Sequence, residues 1–540
     1  MPSIPFAGRS SSCRSLADAR DDSISLAGGL PLPEQRTVKI VVIGSGFGGL
    51  SAAIRLRAQG HEVTIVEQRD KPGGRAYVYE QDGFTFDGGP TIITAPWLIH
   101  ELFELAGKRT DDYVRLVPID PFYNIRFEDG SVFHYNGDRA RLLSEIRKFN
   151  PADVEGYERF ARATEDIFKV GFDLIDKPFH AFGSMLKCVP DLVRLQSHRS
   201  VAGFVGKYIK DERLRQVFSF HPLLVGGNPF QSTSIYALIH TLEQRWGVWF
   251  AMGGTGALVK GLARLFEEQG GALRLNAKVG EIEIDDRSGR ATGVRLTSGE
   301  LLTADAVVSN GDVAFTYLNL VAPRHRKKYT ERRVNRMRYS MSLFVIYFGT
   351  DRKYDDVAHH EILMGPRYRG LLEDIFTHKT LSKDFSLYLH RPTATDPSLA
   401  PPGCDAWYVL SPVPHLGGNT DWTRAAQPYR DAIVKYLEDR YLPGLSRHIV
   451  TERRIDPLHF RDTLSSHLGS AFSVEPVLTQ SAWFRPHNVS EDVPNLYFAG
   501  AGTHPGAGLP GVMSSGKIVA DLIGGASVEQ LRRDAAMVPA

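Results

Sequence analysis

The chain has 540 residues, of which 42% are hydrophobic and 23% are charged, a composition typical of a soluble globular protein with two or three substructures. A net charge of +2 gives no overall attraction for nucleic acid, so we expect no nucleic-acid partner. Three widely separated cysteines, Cys13, Cys188 and Cys404, argue against a disulfide framework and a metal site, and fit a reducing compartment.

The first 36 residues are rich in Ser, Arg, Asp and Pro and lack a central apolar block. This composition favours a disordered leader over a secretory signal. An organelle transit peptide is less favoured, because Asp18, Asp21 and Asp22 are acidic. No stretch reaches the ~18–20 apolar residues that a bilayer-spanning helix requires, so we predict no transmembrane helix.

The stretch from Val38 to Glu67 predicts a nucleotide-binding unit. A buried strand at 38–43 is followed by a glycine-rich turn, a helix at 50–59 and a second strand at 62–66. The turn has the sequence Gly44-Ser45-Gly46-Phe47-Gly48-Gly49, and Glu67 ends the second strand. Strand, glycine turn, helix, strand and acid in this order are typical of a dinucleotide site.

Each of these residues has a physical reason to be there. Gly44 permits a tight turn, Gly46 lets the backbone approach a pyrophosphate, and Gly49 lets the helix pack on the strand. The helix N-terminus offers unpaired N–H groups to phosphate, and Glu67 can accept hydrogen bonds from the adenosine ribose. A plain βαβ unit with structural glycines would not need Glu67.

The residues that follow indicate FAD rather than NAD. Gly73-Gly74-Arg75 comes shortly after Gln68 and offers close backbone approach and a guanidinium for phosphate. This arrangement resembles the extended FAD motif of the flavin amine oxidase superfamily. Asp87-Gly88-Gly89-Pro90 predicts another close backbone approach, near the flavin. The alternative for Arg75 is a solvated surface arginine.

The middle of the chain predicts a second sheet and a helical region. Residues 97–106 have helical apolar spacing, and 122–135 alternates around Asp129-Gly130 as in a hairpin. Residues 150–242 are mostly helical in pattern and dense in aromatics, which are more often core than binding site. Strands of the second sheet are predicted at 341–348, 384–389 and 406–410.

Residues 253–308 predict a return to the nucleotide domain. A glycine-rich start at 253–256 opens a helix to 269, and strands follow at 273–276, 279–284 and 306–308. We place Val279 near the adenine.

A dense group of cations, the basic cluster, lies between 324 and 338 and is opposed within that span by Glu331 alone. Its members are Arg324, Arg326, Lys327, Lys328, Arg332, Arg333, Arg336 and Arg338. A solvated helix face is the slightly favoured interpretation. The alternative hypothesis is a footing on anionic lipid headgroups.

The C-terminal motif predicts a second glycine turn against the cofactor. Residues 495–500 form a strand running into Gly500, and a helix is expected after Pro510-Gly511, with its positive end from about Val512 at the flavin. The complete set of predicted cofactor-binding residues is Gly44, Gly46, Phe47, Gly48, Gly49, Glu67, Gln68, Gly74, Arg75, Gly89, Val279, Gly500, Gly502, Gly511, Val512 and Met513.

The chain from Thr37 to Ile523 resembles the bacterial-type phytoene desaturases, carotenoid desaturases of the flavin amine oxidase superfamily. Besides the glycine turn, 67–77 and 500–511, the matching segments are 218–230, 246–250 and 480–488. The departure is the leader before Thr37, which is longer than is usual in the family.

The resemblance implies an α/β protein, α+β overall, with a discontinuous Rossmann-type FAD domain at 37–100, 244–318 and 478–530. It also implies a mixed-sheet substrate domain at 101–140 and 319–477 and a helical membrane-facing cap at 141–243. The implied activity converts phytoene through partially desaturated carotenoids to lycopene, with quinone or oxygen as electron acceptor. The implied location is peripheral, on the lipid surface at the cytoplasmic side of a membrane.

The chemistry predicts a weak base and no metal. Removing a hydride beside a polyene leaves a delocalised cation, so the proton that follows is acidic and needs no Ser-His-Asp array. His221, His487 and His504 lie in family-like motifs, but each is as readily structural, and the catalytic residue stays open.

Three alternatives remain beside this interpretation. The first is a desaturase that makes fewer double bonds or acts on another carotenoid, or an isomerase of the same fold. The second is a flavin amine oxidase, disfavoured because 500–516 contains neither cysteine nor tyrosine. The third is a non-catalytic isoprenoid carrier, disfavoured because the cofactor motifs are intact.

Overall fold

The computed structural model describes residues 37–180 and 182–524. The predicted leader at 1–36 and the last residues of the predicted FAD domain, 525–530, lie outside the described residues. None of the helices in the described part combines the length and the apolar character needed to cross a membrane.

The strands are numbered here in chain order. They are β1 (Lys39–Ile43), β2 (Glu62–Val66), β3 (Val78–Gln81), β4 (Phe84–Asp87), β5 (Leu116–Ile119), β6 (Tyr123–Arg126), β7 (Val132–Tyr135), β8 (Val248–Ala251), β9 (Ala272–Arg274), β10 (Val279–Ile284), β11 (Ala291–Leu296), β12 (Leu301–Thr303), β13 (Ala306–Ser309), β14 (Ser342–Thr350), β15 (His360–Leu363), β16 (Leu387–His390), β17 (Asp405–Val413), β18 (Ile449–Ile455) and β19 (Leu496–Phe498).

The helices are numbered in the same way. They are α1 (Phe47–Ala58), α2 (Pro96–Glu104), α3 (Arg139–Phe149), α4 (Asp153–Asp173), α5 (Phe182–Arg194), α6 (Val201–Val205), α7 (Glu212–Ser219), α8 (Leu238–Trp246), α9 (Gly254–Glu268), α10 (Val313–Phe315), α11 (Glu331–Arg336), α12 (Tyr368–Glu373), α13 (Trp422–Arg440), α14 (Leu445–His448), α15 (Pro457–Asp462) and α16 (Leu509–Gly524).

A five-stranded parallel sheet carries the glycine motifs. Its order is β19-β13-β1-β2-β9, so it combines strands from three distant parts of the chain. Ile40, Val41 and Val42 of β1 are almost completely buried, as expected for a strand covered on both faces. The predicted α/β class with a Rossmann-type sheet is confirmed.

Both helices that follow glycine turns begin earlier than the sequence suggested. α1 begins at Phe47 instead of Leu50, because Gly48 and Gly49 adopt helical conformation behind the extended Gly46. α16 begins at Leu509 instead of about Val512, with Pro510 in its first turn, where no N–H donor is required. The two helices pack so closely that a Cβ on Gly516 would lie 2.7 Å from the Gly48 carbonyl oxygen.

A seven-stranded mixed sheet forms the second layer. Its order is β18-β14-β17-β16-β15-β6-β7, and the predicted hairpin around Asp129-Gly130 joins it through β6, which runs parallel to β15. β14 is buried along its whole length. Smaller pieces are the β10-β11-β12 sheet and the β3-β4 and β5-β8 pairs.

Helices α3 to α8 follow one another between β7 and β8 in the sequence and form the helical region. Phe160, Phe204 and Phe218 are fully buried there, as expected for core aromatics. Phe179 and Phe220 belong to the same dense group but line a cavity. The aromatic stretch is therefore divided between the core and a binding surface.

Candidate active site

A cavity of about 590 Å³ joins the glycine motifs to the second sheet and the helical region. Of the predicted cofactor residues, those that line it are Gly44, Gly46, Phe47, Gly48, Glu67, Gln68, Gly74, Arg75, Gly89, Val279, Gly500, Gly502, Gly511 and Val512. Two others lie behind this wall. Gly49 packs on the turn, and Met513 is buried in the hydrophobic core of the parallel sheet.

The first glycine turn is closed by backbone contacts. Gly44 has a φ of +92°, and its N–H donates to the carbonyl of Val66 at 2.8 Å. A Cβ on Gly49 would lie 2.2 Å from the Gly44 carbonyl oxygen, so only glycine lets α1 begin here. The roles predicted for Gly44 and Gly49 as turn and packing residues agree with this geometry.

Asn310 clamps the two glycine turns together, and sequence reasoning missed it. It follows β13, and its side-chain amide donates to the carbonyl of Ala499 at 3.0 Å. A Cβ on Gly46, Gly48 or Gly500 would come within 2.6–2.8 Å of this amide group. The available signal was a polar residue directly after a buried strand, at the carboxyl edge where parallel strands place their ligand-binding side chains.

Glu67 lies at the end of β2, beside the first turn. Its Oε2 accepts hydrogen bonds from the Ser45 N–H at 3.0 Å and the Ser45 hydroxyl at 2.7 Å, while Oε1 accepts from the Arg69 N–H at 3.0 Å. The carboxylate is thereby fixed in the cavity wall with lone pairs left to accept from a ribose. Val279 also lies near Glu67. It is two residues from Ala277, whose N–H donates to the Glu67 carbonyl at 2.7 Å.

The second predicted motif faces the first. Gly74 has a φ of +56°, and a Cβ there would lie 3.5 Å from Gly46 Cα. Arg75 is fixed by a 2.8 Å bond from Nη2 to the Ser466 hydroxyl, and its Nε has no hydrogen-bond partner among the described residues. Burial lowers the pKa of Arg75, and the nearby Asp312 carboxylate opposes this shift. A cation of this kind suits an anionic ligand group, which argues against a solvated surface arginine.

The 87–90 segment makes the predicted close approach, but to the protein itself. A Cβ on Gly89 would lie 2.0 Å from the Arg75 carbonyl oxygen. Asp87 accepts hydrogen bonds from the N–H groups of Thr255 and Gly256, at 2.8 and 3.0 Å, and so caps α9. Burial raises the pKa of Asp87 to about 6, and these two bonds oppose the shift.

Arg485 organises the C-terminal glycine segment and was also missed. Its guanidinium donates to the carbonyls of Thr503 at 3.0 Å, Val474 at 2.9 Å and Ala501 at 2.6 Å. Arg485 is 1% exposed, and burial lowers its pKa. The residue lay inside a motif used for the family resemblance, but its carbonyl partners could not be read from spacing.

These residues fit FAD. Glycines with no room for a Cβ, the N-terminus of the twelve-residue helix α1, an arginine in the cavity wall and an acid fixed beside the turn are the parts that a dinucleotide needs.

The remainder of the cavity wall is largely apolar. The helical region contributes Phe172, Leu174, Ile175, Phe179, Leu192, Phe220, Leu223, Leu224, Val225, Ile235, Tyr236, Leu238, Ile239 and Leu242. The second sheet and the segments leading into and out of it contribute Met341, Leu343, Val345, Ile362, Met364, Leu387, Tyr388, Tyr408 and Leu410. Such a surface suits a large hydrocarbon.

The structure places the three candidate histidines in different environments. His504 lines the cavity, whereas His221 is bound to Glu243 at 3.1 Å inside the core, and His487 Nε2 donates to the Trp483 carbonyl at 3.0 Å. His504 Nε2 donates to the carbonyl of Leu174 at 3.3 Å. Its Nδ1 is buried and has no partner within the described chain.

The buried environment keeps His504 neutral. Burial lowers the pKa of His504 to about 4, and the hydrogen bond to the Leu174 carbonyl opposes the shift. With Nε2 protonated, Nδ1 carries the free lone pair, and it is buried within a residue that lines the cavity. Of the three histidines, only His504 is among the residues that line the cavity.

In the structure, more of the positive charges of the basic cluster are paired with acidic side chains than the sequence suggested. Arg324 pairs with Asp286 at 3.0 Å, Lys328 with Glu491 at 3.3 Å, and Arg338 with Glu475 at 2.8 Å. These acids come from elsewhere in the chain. Its exposed members include Lys327, Arg332 and Arg336.

Comparison with known proteins gives a family model and close relatives. The model of flavin-containing amine oxidoreductases matches residues 47–524. The lycopene-forming phytoene desaturase of Pseudescherichia vulneris is 54% identical, over 90% of this chain and 99% of the relative. That of a Paracoccus species is 51% identical (89% and 96%), and the neurosporene-forming phytoene desaturase of Cereibacter sphaeroides is 45% identical (91% and 95%).

Solved structures share the fold at low identity. An oxidoreductase from Methanosarcina mazei superposes with a TM-score of 0.62 at 17% identity, over 89% of this chain and all of that one. A putrescine oxidase bound to putrescine superposes with a TM-score of 0.61 at 13% identity, over 90% and 99%.

Proposed function

Since the chain belongs to the flavin-containing amine oxidoreductase family, and within it to the phytoene desaturases, we propose that it is an FAD-dependent desaturase that converts phytoene to lycopene. Relatives that form lycopene are 51–54% identical to it, whereas two that form neurosporene are 45% identical. This difference supports four desaturations over three.

The observation that carries the proposal is the continuity of one cavity. Its glycine-lined end suits a dinucleotide, and its other end is walled by leucine, isoleucine, phenylalanine and tyrosine side chains. An amine substrate would gain nothing from so much apolar wall, since its charge must be desolvated there. A long hydrocarbon has no such cost.

The reaction removes two hydrogens from neighbouring carbons and leaves a double bond. When bound, FAD supplies the acceptor for a hydride, that is, one hydrogen with its bonding electron pair. The carbocation left on the substrate is delocalised along the conjugated chain, so the hydrogen on the adjacent carbon leaves as a proton. Its bonding pair becomes the new π bond.

We assign the proton to His504 Nδ1. His504 lines the cavity with a side chain fixed by the Leu174 carbonyl and packed against Phe179, with ring centroids 5.0 Å apart. Its Nδ1 is buried, so the ring must turn to reach the substrate. A pKa of about 4 makes His504 a weak base. A weak base suffices because the carbocation makes the proton acidic.

Two neighbouring segments are our candidates for the lipid surface through which the substrate arrives. α5 packs against Ala482–Phe484. Each contributes to the cavity wall, through Leu192 and Ala482, and each exposes large apolar side chains, as does Leu478 in the turn packed on Ala482–Phe484. We name the exposed set the apolar patch: Val189, Val193, Leu478 and Phe484. A mouth of this composition suits passage of a hydrocarbon from a bilayer.

Re-oxidation of the cofactor completes the proposed cycle, with a quinone or oxygen as the electron acceptor. An anaerobic assay with and without an added quinone separates the two. Product formed without oxygen only when the quinone is present assigns the quinone, and product formed only in air assigns oxygen.

The test of the function is pigment extraction from cells that accumulate phytoene, with and without this chain. We expect a red extract with the chromatographic and absorption properties of lycopene. A yellow extract would retain the desaturase but reduce the number of steps. Unchanged phytoene beside purified, FAD-loaded protein would overturn the proposal and transfer the search to other carotenoids or amines.

A matched inactive control comes from the first glycine turn. Gly46→Val places side-chain atoms where even a Cβ would lie 2.8 Å from the Asn310 amide, so FAD binding and pigment should be lost together. Gly280→Ala is the companion variant, because a Cβ there would meet only ordinary contacts of 3.5 Å or more and the residue is not part of the cavity wall.

A further inference from the structure

Three buried histidines meet at the end of one hairpin in the second sheet. His360 begins β15 and His390 ends β16, and the antiparallel register places these two residues directly opposite each other. His359 precedes β15, and its carbonyl accepts a hydrogen bond from the Arg391 N–H at 2.9 Å. All three are outside the cofactor cavity, one layer behind its wall.

The three rings are close and their nitrogens are unusually free. One ring nitrogen from each lies within 4.8 Å of the others, and the ring centroids are 4.4–5.1 Å apart. His359 Nε2, His360 Nε2 and both nitrogens of His390 are buried without a hydrogen-bond partner in the part of the chain that the structure describes. Buried polar atoms are almost always satisfied, so a cluster of four such atoms points to a missing ligand.

The second nitrogen of two rings is already held. His359 Nδ1 lies 2.6 Å from the Thr395 hydroxyl, and His360 Nδ1 lies 2.7 Å from the Tyr388 hydroxyl. If Nδ1–H donates in each, both Nε2 lone pairs face the cluster, which is the arrangement found around metal-bound histidines.

The charges around the cluster are compatible with a cation. All three imidazoles are buried, which favours the neutral form that binds a metal. The Arg391 guanidinium is itself paired with Asp405 at 3.2 Å. Glu361, the neighbour of His360, is committed to Arg126 at 2.6 Å.

We propose that His359, His360 and His390 bind one divalent first-row metal ion, zinc before others, at a site that ties β15 to β16. Three neutral imidazoles suit zinc, with water as the fourth ligand of a tetrahedral site. Zinc–nitrogen bonds of ~2.0–2.1 Å bring tetrahedral ligand atoms to within ~3.4 Å of each other, so the rings must rotate inward by about an ångström.

The ion would act on the cavity only through its wall. Tyr388 contacts His360 through its hydroxyl, contacts Thr91 Oγ1 at 2.7 Å, and lines the cavity with its ring. The site therefore has a structural role beside the substrate and no part in moving hydride or proton. Sequence reasoning could not find this cluster, because His359-His360 and His390 are brought together only by the hairpin register.

The test is metal analysis of the untagged, FAD-loaded protein after dialysis against zinc and then against metal-free buffer. We expect about one zinc per chain. His390→Gln should reduce this to background, because its ring has no nitrogen committed elsewhere in the described structure. His61→Gln is the matched control, since His61 is also buried with both ring nitrogens unpartnered among described residues. It should retain the zinc.

A second measurement uses only the wild-type protein, so its result does not depend on whether the variant folds. X-ray absorption at the zinc edge of the wild-type protein should give three imidazole nitrogens at ~2.0–2.1 Å. Zinc bound through sulfur or carboxylate, zinc retained by His390→Gln, or a wild-type protein that takes up none would each overturn the proposal. In the last case, ordered waters would occupy the cluster.

Discussion

Asn310 is a single amide on which two distant glycine turns depend. Its NH2 group donates to Ala499, and Gly46, Gly48 and Gly500 lie around it with no room for larger residues. The glycines could be predicted from the sequence because their spacing is a known solution to phosphate binding. Asn310 could not, because its importance arises only when β13 is placed between β1 and β19.

Asn310→Asp keeps the size of this side chain and removes the donor. We expect the carboxylate to face the Ala499 carbonyl and a phosphate-binding turn, at a cost of about 2 kcal/mol, so FAD should bind about 30-fold more weakly. Titration of the apoprotein with FAD measures this. Asn319→Asp, at an exposed residue that bonds only to the Phe315 carbonyl among described contacts, should bind FAD normally. Equal affinity of the two variants for FAD would contradict the proposed role of Asn310 in holding the glycine turns together.

His504→Gln tests the proposed base. We expect normal FAD content and a turnover reduced by about 100-fold or more, as for loss of a general base. Because the pKa of His504 is about 4, wild-type turnover should show no loss from this group until the pH falls below about 5.

His487→Gln provides the matched control, since His487 is not part of the cavity wall. Its turnover should stay close to that of the wild type. A His504→Gln enzyme as fast as wild type would assign the proton to another residue.

At the scale of elements, prediction succeeded where the pattern was local. The βαβ unit, the hairpin at 122–135 and the long strands β14 and β17 lie close to their predicted positions. Helix starts were less accurate, because Phe47 and Leu509 follow glycines whose conformation depends on contacts across the sheet. Arg485 and the histidine cluster depend on strand register and loop packing, which spacing does not encode.

Two helix caps should respond to pH in opposite ways. Asp87 caps α9 from a buried position with a pKa of about 6, above its ordinary 3.8. The folded chain therefore binds this proton more tightly than the unfolded chain, and stability falls as the pH rises from about 4 to 6, by on the order of 3 kcal/mol. The melting temperature of the wild type relative to Asp87→Asn should decrease across this window.

Asp421 is the comparison, an exposed cap of α13 that accepts a hydrogen bond from Thr423. That bond lowers its pKa, so its contribution is present above about pH 4 and is lost as the pH falls further. Relative to Asp421→Asn, the wild type should be constant between pH 4 and 6. A parallel response of the two pairs would contradict the assigned role of burial.

At the scale of the whole molecule, the proposed contact with lipid can be tested one surface at a time. Val193→Asp with Phe484→Asp places charge in the apolar patch, where these residues are 67% and 46% exposed. We expect this double variant to lose binding to neutral and anionic vesicles alike in a flotation assay. Val450→Asp, at a site that is 53% exposed on β18, should float as the wild type does.

The basic cluster makes a different prediction. If Lys327, Arg332 and Arg336 contact headgroups, replacing all three with Gln removes ~1 kcal/mol each, and only binding to anionic vesicles should weaken, most at low salt. Unchanged binding would leave the cluster as a solvated surface. The two variant sets therefore separate apolar insertion from electrostatic attraction.

The parallel sheet also constrains how this protein is made. β1 and β2 are synthesised early, yet β19 and α16, which complete the sheet and cover α1, are among the last described elements to be translated. At about 5–20 residues per second, a ribosome leaves the apolar face of α1 without its partner for tens of seconds. Cofactor capture must therefore follow translation, and we expect nascent chains to depend on chaperones during that interval.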